Sequence, residues 1–308
     1  MNAKIVIKKI DGSVFEETKL LSFLFIKDAY IPYTTVSAQI YSNDSDYLSI
    51  CEISMYIGNT IVHHGLVDSL ELVKSSGHSI VRLSSRGFTS LLCQNQIEPG
   101  MITGISLNKL MDSYYSLPYV THESNTDESN YIFVKNNSTM WDGIVNLSYK
   151  LCGTFPYIRE TNCVRITAVN APTNYSYESS KLINSGLAYN YKRMISNFHM
   201  ADINGEYGTY ELEDSDSINR KIVRHKFFEL DKQFLYSPQD ALVFRDKYSQ
   251  RGSFRYFCQY NGYNGEDLFD NVTFENVNQK KITRIEVNGS KNGIFTELSS
   301  YRDRFLSL

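Results

Sequence analysis

The chain has 308 residues, 42% hydrophobic and 21% charged, with a net charge of −3 and a pI near 6.1. That length exceeds what one hydrophobic core usually spans, so two or three domains are expected, and the ordinary balance of apolar and charged residues excludes a disordered chain. No run of Lys or Arg extends beyond pairs such as Lys8–Lys9 and Lys280–Lys281, so the clustered basic face of a nucleic-acid binder is not visible.

Aromatic usage is uneven: 23 Tyr and 17 Phe stand against one Trp. Tyr and Phe favour half-buried pleated surfaces and point to β structure; tyrosine-rich interfaces are the other use of such a composition. Five cysteines, Cys51, Cys93, Cys152, Cys163 and Cys258, are an odd and widely spaced set. They read as reduced, mostly buried thiols, with a Cys152–Cys163 disulfide as the alternative. The N-terminus alternates like a strand and lacks the apolar core of a signal peptide. The longest apolar run, Leu20–Ile26, is broken by Ser22 and is too short to span a bilayer. A soluble protein made in the cytoplasm is expected.

In chain order, the first 84 residues read as all-β. Ala3–Lys9 alternates and meets a hairpin signal at Asp11-Gly12. Val36–Ser42 follows a turn at Pro32. Cys51–Gly58 turns at Gly58-Asn59 and returns as Thr60–Leu72, and Ser79–Ser85 follows Ser76-Gly77. Such spacing suits a small antiparallel barrel or sandwich.

From Ser79 to Val169 the pattern becomes strand, short helix, helix, strand, strand, helix and hairpin. Ser106 is a good N-cap, with Ile105 and Leu110 at the staple positions, and Leu107, Leu110, Met111 and Tyr114 form one stripe. Tyr131–Asn136 reads as a strand. Ser138 caps the next helix, whose apolar face is Trp141, Ile144, Val145, Leu151 and Cys152, and Gly153 stops it. Arg159–Asn162 turns a hairpin between Tyr157-Ile158 and Val164–Ile166. The unit reads as a sheet covered on one face by helices.

Residues 170–308 return to β with one helix, Ser237–Gly252. It has Ser at N-cap, Pro at N1 and Asp240 at N3, an acidic capping box, and Ala241, Phe244 and Tyr248 on one face. Phe254–Gly262 and Lys281–Gly289 read as strands, and Asp202–Ser217 as an exposed loop or edge hairpin.

Chemical motifs are scarce. His63-His64 are adjacent on a strand and point to opposite faces, and no CxxC, HExxH or H-x-E pattern accompanies them, so no metal is expected. Asp202-Ile203-Asn204-Gly205-Glu206 carries its Gly at the fourth position and not the sixth of a calcium loop, so it reads as an acidic turn. Cys93 and Cys152 sit at apolar helix positions, where packing is the default use. No GxSxG, GxxxxGK[ST] or GxGxxG occurs. Trp141 reads as a core residue. No catalytic, metal or cofactor-binding residue is assigned, and no partner-interface residue.

The order of elements is distinctive. After "QNQIEP" and the helix ISLNKLMDSYY come YIFVKNNSTMWDGIVNLSYKLCG and the hairpin PYIRETNCVRIT. This resembles the tail or baseplate hub proteins of phages and phage-derived contractile injection systems, the late control protein D group with the Mu-type hub. The matching positions are Asn137, Thr139, Trp141, Asp142, Ile144, Leu147 and Gly153, then Val164 and Ile166. The match covers residues 80–170 best. The hairpin turn Glu160-Thr161-Asn162 lacks the family's usual Gly, and the loop 202–217 has no counterpart.

The resemblance implies an α+β, mainly β chain: a first β-barrel over residues 1–88, an inserted α/β domain over 89–170, and a second β-barrel over 171–308 with one helix near 238–251. It implies a homotrimeric, non-enzymatic adapter in the virion tail or injection particle. Three chains would set six barrels in a pseudo-sixfold ring that joins the sixfold tail tube to the threefold central spike, beside the tape measure protein. A tail-associated cell-wall hydrolase and a carbohydrate-binding β module are the alternatives.

Overall fold

The computed structural model describes residues 2–42, 46–75, 78–302 and 305. Ser76-Gly77, expected to turn a hairpin, lies outside the described residues. The chain is mainly β, and its largest element is an eleven-stranded antiparallel sheet. From one edge its strands are Leu182–Tyr189, Phe254–Asn261, Gly293–Tyr301, Arg284–Ser290, Leu20–Asp28, Thr35–Ser42, His78–Gly87, Thr60–Ser75, Ile50–Ile57, Ala3–Lys9 and Val14–Glu17. The seam is the ladder between Leu20–Asp28 and Arg284–Ser290, where Asp28 lies opposite Arg284 and Phe23 opposite Gly289. A Cβ on Gly289 would stand 2.0 Å from the Phe23 ring, so only Gly fits there. One hydrophobic cluster runs across the seam, from Ile5, Phe25, Ile40, Ile53 and Met55 to Cys258, Ile285, Val287 and Leu298. The expected turns at Asp11-Gly12 and Gly58-Asn59 are present.

Residues 92–166 supply most of a second cluster, built on Leu92, Ile105, Leu110, Tyr115, Ile132, Trp141, Ile144, Leu147 and Val164. The sequence reading missed one strand here. Gly100–Ile105 pairs with Ser129–Val134, and a separate three-stranded sheet holds Tyr157–Arg159, Cys163–Arg165 and Thr121–His122. The helix is Met140–Cys152. Its N-cap is Thr139 and not Ser138: Thr139 accepts from the Asp142 N–H while Asp142 accepts from the Thr139 N–H, a closed capping box. Gly153 ends it at φ 68°. Tyr114 is off the stripe at 43% exposure, and Tyr115 is at 0%. A π-helical turn over Leu110–Tyr114, closed by Tyr115 N–H donating to the Leu110 carbonyl at 3.0 Å, inserts a residue and rotates the face. The Tyr115 hydroxyl then lies 2.0 Å from where a Cβ on Gly143 would be.

A third cluster joins the helix Pro238–Ser249, through Ala241 and Leu242, to Phe198 and Met200 of a three-stranded sheet. That sheet orders Tyr210–Glu213, Asn197–Met200 and His225–Phe228. So Asp202–Ser217 is in part an edge hairpin, and its Asp214 caps a short helix, Ser215–Asn219. The capping box expected at Ser237 does not form. Ser237 has φ −150° and ψ 67°, and its carbonyl, not its hydroxyl, accepts from Asp240 N–H at 3.0 Å. Lys281–Gly289 is split into Val277–Lys281 and Arg284–Ser290 because Ile282 bonds Phe269 and Asp270 instead of a ladder.

Candidate functional site

The most heavily bonded part of the molecule is the junction where the Arg159–Asn162 hairpin meets the large sheet. Glu160 takes φ 55°, the left-handed conformation for which Gly is usual. Three bonds hold it there. Lys27, 4% exposed, donates to the Glu160 carbonyl and pairs with Asp267, and the Glu160 N–H donates to Asp267 at 2.7 Å. Beside it, Arg159 donates to the Leu268 carbonyl and pairs with Asp270 at 2.8 Å. Burial works against the Arg159 charge, but Asp270 and Asp267 outweigh it and its pKa lies above the ordinary value. Asn162, also buried, donates to the His64 carbonyl at 3.2 Å and accepts from Thr89 N–H. Next in the chain, the buried Glu266 accepts from the Tyr177 and Tyr260 hydroxyls and from Asn264 N–H. Burial, reinforced by this carboxylate, raises both phenols far above their usual range. The junction ties residues 20–28, 159–162 and 264–271 together.

Its chemistry is structural. The nearest approach to a nucleophile–base pair is His63, whose Nε2 lies 2.8 Å from Ser85 Oγ and whose Nδ1 lies 2.7 Å from Thr34 Oγ1. Ser85 donates to the Leu66 carbonyl at 2.7 Å, so its oxygen accepts from Nε2–H and Thr34 donates to Nδ1. All three residues are buried, so no substrate reaches them, and burial pushes the His63 pKa down to about 3. His64 points away, onto Glu52 at 2.8 Å. The five cysteines are free thiols. Against expectation only Cys258 is buried: Cys51, Cys93 and Cys163 are half-buried, and Cys152 is exposed because it lies at the end of the helix past the packed face. Burial pushes Cys93 up to about 11 and Cys258 up to about 12, away from a reactive thiolate. Trp141 is buried, as expected. Among the described residues no group of three or more His, Cys, Asp or Glu is placed to hold a metal, and no helix is long and apolar enough to cross a membrane.

Part of the surface is suited to protein contact. Leu182–Tyr189 is an edge of the large sheet, and it exposes Ile183, Leu187 and Tyr189. The outer face of the three-stranded sheet stacks His199 on Phe227 at 4.5 Å and on His225 at 5.4 Å, with Tyr207 edge-on to Phe227. Tyr236, 92% exposed, and Val223 lie in the same segment of the chain. Unpaired edges and clustered exposed apolar groups are features that proteins usually keep for partners.

No family model matches the sequence, and no curated protein matches it. Solved structures do. A tail protein from Neisseria meningitidis MC58 superposes with a TM-score of 0.71 at 14% identity, over 99% of this chain and 98% of that one. A 43 kDa tail protein of prophage MuSo2 from Shewanella oneidensis gives 0.70 at 14% identity, over 97% and 98%. The fold is that of phage tail proteins. An Escherichia coli component of the type VI secretion system, described as structurally similar to the T4 bacteriophage tail proteins gp27 and gp5, shares this tail-protein fold with a TM-score of 0.58 at 8% identity, over 98% and 80%. The agreement matches the resemblance read from residues 80–170.

Proposed function

We propose that the chain is the structural hub of a phage tail tip or baseplate, or of a related injection particle, and that it works without catalysis. The observation that carries this is the fold similarity to tail proteins, which spans nearly the whole of this chain and of those proteins. The secretion-system relative, with its described likeness to the T4 tail proteins gp27 and gp5, supports a place in a tail or related particle. In this reading residues 1–88 and 171–308 form two barrel-like units and 89–170 an inserted α/β unit. The protein is made in the host cytoplasm and joins the tail as a homotrimer. Two β units per chain, repeated three times, present six similar faces to a sixfold tail tube and three to a central spike, with the tape measure protein alongside. One heterologous interface used three times closes such a ring.

Native mass spectrometry of the purified full chain tests the reading. A trimer is expected, with rings in electron micrographs. A strict monomer at high micromolar concentration, with no ring, overturns it. Clearing of a cell-wall suspension would count instead for the hydrolase alternative.

A further inference from the structure

A cavity of about 540 Å³ opens where the chain leaves Leu182–Tyr189 and passes the end of the Pro238–Ser249 helix and the strand Gly293–Tyr301. Its walls carry Lys192, Arg193, Arg251 and Arg284, and one carboxylate, Asp28. That carboxylate is already engaged: Arg284 pairs with it at 3.3 Å and the Tyr301 hydroxyl donates to it at 2.6 Å. Arg284 also pairs with Glu286 at 2.9 Å. Among the described residues no carboxylate lies within ion-pair distance of Lys192, Arg193 or Arg251.

Arg251 has a structural use. It donates to the Tyr248 carbonyl at 2.6 Å and lies 3.4 Å from the Tyr248 ring centroid, as a cation at a helix C-terminus does. That use does not explain why Lys192 and Arg193 are brought to the same concave wall. Cations gathered along one concave wall raise a local positive potential that an anion from outside neutralises. Burial first, with Arg193 adding to it against Tyr248, Tyr30 and Asp28, holds the Arg251 guanidinium below its ordinary pKa.

We propose that this cavity is an anion socket and that its occupant is the acidic stretch Asp202–Asp216 of a second copy of the chain. The stretch holds six acidic residues, Asp202, Glu206, Glu211, Glu213, Asp214 and Asp216, and no Lys or Arg. Glu206, Glu211, Glu213 and Asp216 are exposed. The turn that begins it is stiff: Asp202 accepts from the Asn204 and Glu206 N–H groups at 2.8 and 3.0 Å, which presents Ile203 and Glu206 to solvent. Socket and stretch are different surfaces of one chain, so their contact is heterologous and closes a ring when repeated by rotation. The inference rests on the trimeric reading above and names the contact that makes the trimer.

The test uses the full chain, with mass measured by light scattering and folding checked by circular dichroism. Wild type is expected as a trimer in dilute salt that dissociates as ionic strength rises. Lys192→Glu with Arg193→Glu changes two exposed side chains that make no hydrogen bonds among the described residues, and it should weaken association about a hundredfold, as should Glu206→Lys with Asp216→Lys. All four changes in one chain should restore the trimer. A folded Lys192→Glu/Arg193→Glu variant that remains trimeric overturns the socket and leaves the trimeric reading standing, and a folded four-fold variant that stays monomeric overturns the socket as well. A wild type that is monomeric in dilute salt overturns both.

Discussion

The junction around Glu160 and the cavity around Arg251 both concentrate charge, but they treat it in opposite ways. At the junction Lys27, Arg159, Asp267 and Asp270 are largely or wholly withdrawn from water, and each meets an opposite charge of the same chain. At the cavity Lys192 and Arg193 are exposed and meet none among the described residues. The first arrangement fixes how three stretches of one chain sit together. The second holds Arg251 and Arg284 by contacts within the chain and leaves Lys192 and Arg193 facing solvent. A buried pair, once formed, is costly to break from one side; an exposed unpaired cation costs its own fold almost nothing and remains available to an anion from outside.

Two measurements test this contrast directly, and two test the sheet that carries both regions. The largest effect should follow Lys27→Met, which leaves Asp267 and the Glu160 backbone without their cation; a loss of roughly 3–5 kcal/mol is expected from urea unfolding. If Lys27→Met is tolerated within a fraction of that, the junction is not the clamp its geometry implies. Next comes acid. His63 binds its proton near pH 6.5 when unfolded and near pH 3 when folded, so between those values the unfolded state holds the extra proton. Stability should therefore be intact above pH 6.5 and fall by up to about 1.4 kcal/mol per pH unit as pH drops towards 3. His63→Gln should flatten that slope, and an unchanged slope would assign acid sensitivity elsewhere. Third, Gly289→Ala should cost roughly 1–3 kcal/mol by overpacking against Phe23, with partial recovery in Phe23→Leu. The smallest effect is the sharpest for the comparison: Lys192→Gln with Arg193→Gln should leave the urea midpoint of the dissociated chain unchanged. A clear shift there would mean that those cations support the fold after all.

Local turn chemistry made much of the large sheet legible before any coordinates. Asp11-Gly12 and Gly58-Asn59 each supply a positive φ within a few residues of the strands they connect, and alternation marked seven of the eleven strands, while Val14–Glu17, Leu20–Asp28, Leu182–Tyr189 and Gly293–Tyr301 were missed. The helix Met140–Cys152 was readable from its spacing and from Gly153. Its true cap, Thr139, is one residue from Ser138, and both are good capping residues, so sequence alone does not separate them. The π turn before Tyr115 was not readable because the register of the stripe changes inside it. Gly100–Ile105 was missed because it has Gly at both ends of its apolar stretch and its partner begins more than twenty residues later. Least legible were the charged groupings. Lys27, Glu160 and Asp267 lie far apart in the chain, as do Arg193 and Arg251, and only the folded sheet brings them together. The one local signal was the Lys192-Arg193 pair.

The ladder between Leu20–Asp28 and Arg284–Ser290 also has a consequence in time. A ribosome delivers residue 28 long before residue 290. At roughly 5–20 residues per second, the apolar strand Leu20–Ile26 spends on the order of tens of seconds with one side unpaired. During that interval it can zip to the same strand of a neighbouring nascent chain as readily as to its own late partner. Crowding on the messenger, and the pace of translation through the C-terminal third, therefore bear on yield as directly as the stability of the finished molecule.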